Sequence, residues 1–165
     1  MSNPANANAD AVATAQTAKA TAPATAPSMP ERPLPVPDAA TAAYWAAARE
    51  HRLVLPRCTD CSAFHFYPRS LCPHCGSAQL EWTACSGHAQ VYSYTVVHRA
   101  PSPALAADVP YVVATVKLAE GPHLMTRIRA CAPDAVRIGM AVRVAFEEAS
   151  AEITLPVFEP SEETA

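Results

Sequence analysis

Hydrophobic and polar positions alternate along the second half of the chain in a way that predicts β-strands. The alternation runs over residues 90–97, 111–118, 123–129 and 140–146, and a shorter segment follows at 152–156. β-Branched and aromatic residues dominate these segments, as is typical of strands that bury one face. A helical turn is expected over residues 133–139, before the fourth strand. Five such strands with a small helical insertion predict a closed β-barrel of the OB-fold type.

A short helix is predicted ahead of the first cysteine. Asp38 or Thr41 can cap its start, and the helical pattern continues to about His51. Tyr44 and Trp45 are its large apolar side chains. They can pack on the chain's own domain, or they can dock onto a partner, because two aromatic rings on so polar a helix are costly to expose. The second interpretation makes Tyr44 and Trp45 candidate partner-interface residues.

Two Cys-x-x-Cys pairs stand ten residues apart, and they predict a metal site. Cys58, Cys61, Cys72 and Cys75 are the candidate ligands. Pro73 and Gly76 suit the second turn, whereas Ser62 stands where a glycine would be easier in the first turn. Thiolate ligands favour zinc or iron over magnesium or calcium. Because four protein ligands leave no place for water, the metal is expected to be structural zinc.

Other interpretations of these cysteines are weaker but stay open. A disulfide framework needs an oxidising compartment, and no secretory signal is visible. A redox Cys-x-x-Cys would not come doubled, while a rubredoxin-like iron site would use similar turns. His65 and His74 are expected at the surface of the turns. Cys85 and Cys131, outside the pairs, are expected to be small buried hydrophobic residues.

Short strands are predicted on either side of the metal turns, at residues 53–55, 64–67 and 80–82, which outlines a zinc ribbon. Phe64 and Phe66 should face one side of the middle segment, and His65 and Tyr67 the other. The predicted domain organisation is a disordered Ala/Pro/Thr-rich extension (1–36), a helix and lead-in strand (37–56), the zinc ribbon (57–84), the OB-fold (85–158) and an acidic tail (159–165).

Composition and charge narrow the classes of function. Residues 147–165 hold six acidic residues and no base, so the remainder carries 12 basic against nine acidic groups. That small surplus disfavours a general nucleic-acid surface, which normally shows a clustered basic face. No apolar run approaches a membrane span, and no targeting segment is recognisable at the start. The expectation is a cytoplasmic protein with no membrane association.

The sequence contains few candidates for a ligand site. His98 and Arg99 end the first barrel strand, beside an Ala/Pro-rich loop at residues 100–110 that is expected to be mobile. Arg127 and Arg129 lie on one face of the third strand, where two guanidinium groups could grip a phosphate of CoA. Ordinary solvent-facing residues would give the same patterns. No catalytic triad, carboxylate pair or glycine-rich phosphate loop stands out.

Several motifs together resemble a known family. They are the Tyr44-Trp45 pair, the knuckle Cys72-Pro-His-Cys-Gly-Ser77, the strand Val91–Val97 and the segment Arg137–Arg143. In this combination the chain, over about residues 38–158, resembles the acyl-CoA-associated zinc-ribbon/OB-fold family, once catalogued as a domain of unknown function. The long N-terminal extension and Ser62 depart from the family pattern.

The resemblance implies a function. Members of this family are usually non-catalytic accessory subunits of thiolase-like enzymes, including lipid-transfer aldolases and hydroxymethylglutaryl-CoA synthase of the archaeal type, or of MaoC-like enoyl-CoA hydratases. Some of them help to hold acyl-CoA. The expectation is therefore a subunit of an acyl-CoA-metabolising complex that is not an enzyme on its own. The alternative is a single-stranded nucleic-acid binder, since ribbons and OB barrels both serve that use.

Overall fold

The computed structural model describes residues 32–161. The predicted order or disorder of residues 1–31 and 162–165 falls outside this range. Within this range the chain forms one helix, seven strands and two short 3₁₀ turns. The helix and strands are α1 (Ala42–Arg49), β1 (Val54–Cys58), β2 (Leu80–Ala84), β3 (His88–Val97), β4 (Tyr111–Leu118), β5 (His123–Ile128), β6 (Ala141–Glu148) and β7 (Thr154–Pro160).

The last five strands close into a barrel, as the alternation predicts. Their order around the barrel is β3-β4-β5-β7-β6, with β6 returning to the start of β3. All pairings are antiparallel except that of β5 with β7, which is parallel. This is the strand order of an OB-fold. The 3₁₀ turn Pro133–Ala135 lies before β6, where a helical insertion was expected.

Alternating burial along the strands produces the barrel core. In β4 every second residue is buried, from Val112 to Leu118, and the intervening residues face outward. β5 alternates in the same way, with Leu124, Thr126 and Ile128 buried. β7 runs from Thr154 to Pro160, further than the expected strand at 152–156, because it pairs with β6 along its whole length.

The helix packs onto this core. Thr41 precedes α1 without a side-chain cap, while the Asp38 carboxylate accepts hydrogen bonds from the backbone N–H groups of Ala40 and Thr41. Tyr44 is 6% exposed and belongs to the same buried cluster as the barrel residues. Burial raises the pKa of the Tyr44 phenol. Its ring is therefore part of the chain's own core.

The zinc-ribbon region is a separate two-stranded sheet. β1 and β2 pair antiparallel from Val54 opposite Ala84 to Cys58 opposite Leu80. The predicted strand at residues 64–67 is reduced to one bridge between Arg57 and Phe64. Within the described residues 32–161, no helix is long and apolar enough to span a membrane.

Candidate metal centre and barrel surface

The four paired cysteines converge at one end of the ribbon. Cys58 ends β1, and all four sulfur atoms lie within 4.8 Å of one another. The Sγ–Sγ distance is 3.6 Å for Cys58 and Cys75 and again for Cys61 and Cys72. A tetrahedral zinc ion with Zn–S bonds of about 2.3 Å needs edges of about 3.8 Å. The four cysteines therefore fit a zinc ion with little movement.

Backbone geometry of the two turns accounts for this convergence. Ser62 and Gly76 adopt positive φ angles of 61° and 77°, so each turn closes through a left-handed residue. Gly76 suits this conformation, and Ser62 adopts it despite having a side chain. The backbone N–H of Gly76 donates to the carbonyl of Cys72, and that of Cys58 donates to the carbonyl of Ala63. Both cysteine pairs thus sit in hydrogen-bonded knuckles.

A side-chain hydrogen bond joins the two knuckles. The Ser77 hydroxyl donates to a carboxylate oxygen of Asp60 at 2.5 Å, across 17 residues of sequence. The Ser77 oxygen also accepts the backbone N–H of Gln79. The contact fixes one turn against the other. Cysteine spacing could not reveal this contact, because Asp and Ser are common turn residues.

Within the cluster, Cys72 is biased toward thiolate and Cys75 toward the protonated thiol. Burial acts to raise the pKa of Cys72, but hydrogen bonds from the backbone N–H groups of Cys75 and His74 lower it to about 6. For Cys75 the backbone N–H of Ser77 acts to lower the pKa, yet the neighbouring thiols of Cys58 and Cys61 outweigh it and raise it to about 12. Of these two thiols, that of Cys72 loses its proton more readily. A divalent cation bound by all four sulfurs would displace the remaining protons.

The two histidines of the ribbon have different environments. His74 is exposed, as expected. His65 is 3% exposed, so the prediction that it lies at the surface is wrong. The alternation expected over residues 64–67 fails because the chain there leaves the sheet after one bridge. Burial lowers the pKa of the His65 imidazole. His65 is not among the four residues whose ligand atoms converge.

The expected ligand residues lie at one end of the barrel. His98 and Arg99 follow β3 and are exposed. Arg127 Nη1 lies 2.9 Å from Asp108 Oδ2, and its guanidinium stacks 4.2 Å from the Tyr111 ring centre. The structure thus engages Arg127 with a carboxylate and an aromatic ring that sequence reasoning did not single out.

The second arginine of the strand face also has an acidic partner. Arg129 Nε lies 3.1 Å from Glu147 Oε2 on β6. Nearer the start of β6, Arg143 pairs with Glu159 of β7 at 2.8 Å. Arg127 and Arg129 therefore point to two different carboxylates and do not converge on one place. Asp108 was hidden from sequence reasoning because it lies in the Ala/Pro-rich loop.

Comparison with known proteins identifies the family. Residues 45–81 match the family model described as the ChsH2 rubredoxin-like zinc ribbon domain, and residues 82–147 match the ChsH2 C-terminal OB-fold domain. The chain is 35% identical over 111 residues to a DUF35 domain-containing scaffold protein of Methanocaldococcus jannaschii, covering 78% of that protein. The chain belongs to the DUF35 family. The predicted family resemblance and fold class are confirmed.

Two other relatives carry enzyme names. A probable enoyl-CoA hydratase alpha subunit of Thermomonospora curvata is 44% identical over 130 residues, which are 79% of this chain; the chain spans 40% of that subunit's length. The solved structure titled "Ltp2-ChsH2(DUF35) aldolase" contains a chain that matches at 43% identity with a TM-score of 0.70. The match covers 77% of this DUF35 chain and 98% of the other.

Proposed function

We propose that this DUF35 chain is a non-catalytic accessory subunit of an enzyme that acts on CoA esters. The partner is a thiolase-like lipid-transfer aldolase or a MaoC-like enoyl-CoA hydratase, and the complex works in the cytoplasm. The observation that carries the proposal is the match to a chain of the solved structure titled "Ltp2-ChsH2(DUF35) aldolase". The two chains are 43% identical, and the match covers 98% of the chain in that structure. The hydratase alpha subunit of Thermomonospora curvata supports the same chemical class.

We further propose that Cys58, Cys61, Cys72 and Cys75 hold one structural zinc ion. Four thiolates complete a tetrahedral shell, so a zinc ion bound there has no position for water or substrate. The ion would therefore shape the ribbon and would take no part in a reaction. A structural role of this kind suits a subunit whose function is to be recognised by an enzyme.

The electrostatics of the barrel favour a protein partner over nucleic acid. Arg127, Arg129 and Arg143 each lie within 4 Å of a carboxylate on a neighbouring element. A surface that follows a phosphate backbone needs cations that are free to displace counterions. Ion-paired arginines supply little of this attraction. The alternative of a single-stranded nucleic-acid binder gains no support from the relatives.

The partner interface is proposed at the ribbon. Tyr44 is committed to the core, so it does not anchor the partner, while Trp45 packs against the core with part of its surface still open. Tyr67 and Leu71 are more than half exposed and lie on the loop between the two knuckles. Exposed aromatic and aliphatic side chains on a metal-fixed loop are suited to anchoring an interface.

Co-purification tests this assignment. The tagged chain is co-expressed with a thiolase-like aldolase and, separately, with a MaoC-like hydratase from the same genome. One of them should elute with the chain in a fixed ratio. Tyr67→Ala/Leu71→Ala should weaken the complex at least tenfold, because two anchors are lost. Ile138→Ala, which truncates an exposed residue on the barrel, is the control. A chain that elutes free of every such enzyme refutes the proposal.

Any contact with acyl-CoA is proposed for His98 and Arg99. Both are exposed beside the loop at residues 100–110, whereas Arg127 would have to leave Asp108 to reach a phosphate. In the assembled complex, Arg99→Ala should raise the KM for acyl-CoA several-fold and leave kcat unchanged. Lys117→Ala removes an exposed cation elsewhere on the barrel and should change neither value. If Arg99→Ala and Lys117→Ala give equal KM values, this chain does not contact CoA and the partner enzyme alone binds it.

A further inference from the structure

The outer face of β3, β4 and β5 carries an exposed apolar patch. Tyr92 is 61% exposed and Met125 is 63% exposed. The Tyr92 ring reaches across β4 to the His123 ring, with 4.6 Å between ring centres in an edge-on arrangement. Ser93, Thr115 and Met125 form one row across the three strands. We call Tyr92, His123 and Met125 the outer patch.

An ion-paired anchor lies at the border of the outer patch. Arg127 is two residues after Met125 on the same outward side of β5. It holds Asp108 at 2.9 Å, and the other carboxylate oxygen of Asp108 lies 2.6 Å from Arg32 Nη2. Asp108 is thus bound by two guanidinium groups at once. The beginning of the described chain is fixed to the barrel within two strand positions of the patch.

The sequence next to this anchor is rich in proline. Prolines occupy positions 23, 27, 30, 33, 35 and 37. They include two overlapping Pro-x-x-Pro motifs, Pro27–Pro30 and Pro30–Pro33. Segments of this kind favour the polyproline II conformation, which exposes ridges that fit between aromatic side chains at low entropic cost. The exposed Tyr92 ring, with its neighbour His123 and a carboxylate that binds arginine nearby, is chemically suited to such a segment.

We propose that the proline-rich segment containing Pro27 to Pro30 lies across the outer patch, with the Arg32–Asp108 ion pair as its anchor. Polyproline II advances about 3.1 Å per residue, so five residues in this conformation span about 15 Å. Met125 and His123 precede Arg127 on β5 by two and four residues, which is about 7–13 Å, and Tyr92 lies two strand spacings of about 4.8 Å across the sheet from β5. Five residues of polyproline II are therefore long enough to reach across the outer patch from the anchor.

Because the segment is tethered next to the outer patch, it can bind there even if its individual contacts with the patch are weak. Arg32 keeps the segment at an effective concentration in the millimolar range, so binding to the patch is an intramolecular step. Proline has little conformational freedom to lose when it docks. The occupant of the outer patch is therefore the chain's own segment. This inference does not depend on the proposed enzyme partner, whose surface is assigned to the ribbon.

Methionine methyl NMR tests the proposal on the full-length chain. The chain has only four methionines: Met1, Met29 in the segment, Met125 in the outer patch and Met140 on the loop before β6. With ¹³C-methyl methionine, a nuclear Overhauser effect is expected between the Met29 methyl group and the Tyr92 ring. Pro27→Gly/Pro30→Gly should abolish it and shift the Met125 signal, while Met140 stays in place.

Matched variants separate the segment from other occupants. Pro4→Gly alters a proline far from the anchor and should leave the Met125 signal unchanged. Arg32→Ala should weaken the Met29–Tyr92 effect. The absence of that effect, with Met125 unmoved by the double glycine variant, overturns the proposal. A Met125 signal that shifts with protein concentration would assign the patch to a second copy. A signal that moves only on addition of the partner enzyme would assign it to the enzyme; both results would also overturn the proposal.

Discussion

The ribbon and the barrel are stabilised in different ways. The ribbon turns contain exposed tyrosine and leucine side chains, and their organisation comes from four converging sulfur atoms. The barrel buries a contiguous set of aliphatic residues on strands that pair around a closed circuit. A small module with little apolar surface to bury needs a metal, whereas a closed barrel needs only packing and hydrogen bonds. The difference predicts which substitutions damage each region.

The largest effect is expected from removal of one metal ligand. Cys58→Ser should abolish zinc binding. Because metal binding contributes on the order of 10 kcal/mol to folding, the variant should lose that stabilisation. The ribbon should then lose its hydrogen-exchange protection first, and the barrel strands, which share a buried cluster with Leu53 and Leu55, should lose part of theirs. Cys131→Ser, which changes a half-buried cysteine outside the cluster, is the control. Elemental analysis should find about one zinc per chain in the control. A Cys58→Ser protein that keeps its zinc would remove the basis of the comparison.

A smaller effect should follow from truncating the barrel core. Leu118 is 1% exposed on β4, so Leu118→Ala should cost about 2–5 kcal/mol of unfolding free energy. Leu71 is 54% exposed in the ribbon, and the same substitution there should change stability by less than about 0.5 kcal/mol. Urea denaturation with zinc present measures both values. Equal losses at the two positions would show that the ribbon is held by apolar packing as well.

The junction between the two regions offers a sharper test. Gly87 has φ of +81°, and an added Cβ would lie 2.5 Å from Val144 Cγ1. Gly87→Ala should therefore combine backbone strain with overpacking, at a cost of about 2–4 kcal/mol. Gly139→Ala has the same φ of +81° with open space around it, so it should show the strain of about 1–2 kcal/mol alone. If thermal denaturation finds the two variants equally stable, the Val144 side chain shifts without cost and the predicted overpacking at Gly87 is absent.

The smallest effect is a dependence of stability on pH. The hydrogen bond from Arg127, assisted by Arg32, holds the pKa of Asp108 below its ordinary value. Because the folded-state pKa is the lower one, Asp108 stabilises the fold fully above an ordinary carboxyl pKa of about 3.9, and this stabilisation is lost as the pH falls through the folded value.

We therefore expect the melting temperature of Asp108→Asn to fall less steeply than that of the unsubstituted chain as the pH drops below about 4. Asp134→Asn, at an exposed position, should behave like the unsubstituted chain. If the melting temperatures of Asp108→Asn and of the unsubstituted chain fall equally with pH, the ion pairs of Asp108 contribute nothing to stability.

Local patterns in the sequence predicted most of the fold. The period of two in β4 and β5 was visible because each strand buries one face, and the cysteine spacing was sufficient to predict the metal turns. The burial of Tyr44 and His65 was not predictable, because it depends on contacts with residues distant in sequence. The ion pairs of Asp108 were not predictable for the same reason, because its partners Arg32 and Arg127 are 76 and 19 residues away in sequence.

The burial of Tyr44 has a consequence for how the chain melts. Tyr44 of the helix and Leu53 and Leu55 of the lead-in to the first knuckle share one cluster with the barrel residues. A shared core makes the two regions one cooperative unit, so an ion bound at the ribbon also raises the melting temperature of the barrel. Each tenfold rise in free zinc above the dissociation constant adds about 1.4 kcal/mol to the unfolding free energy of the whole unit. Zinc supply would then set how long the barrel, and any enzyme attached to it, persists in the cell.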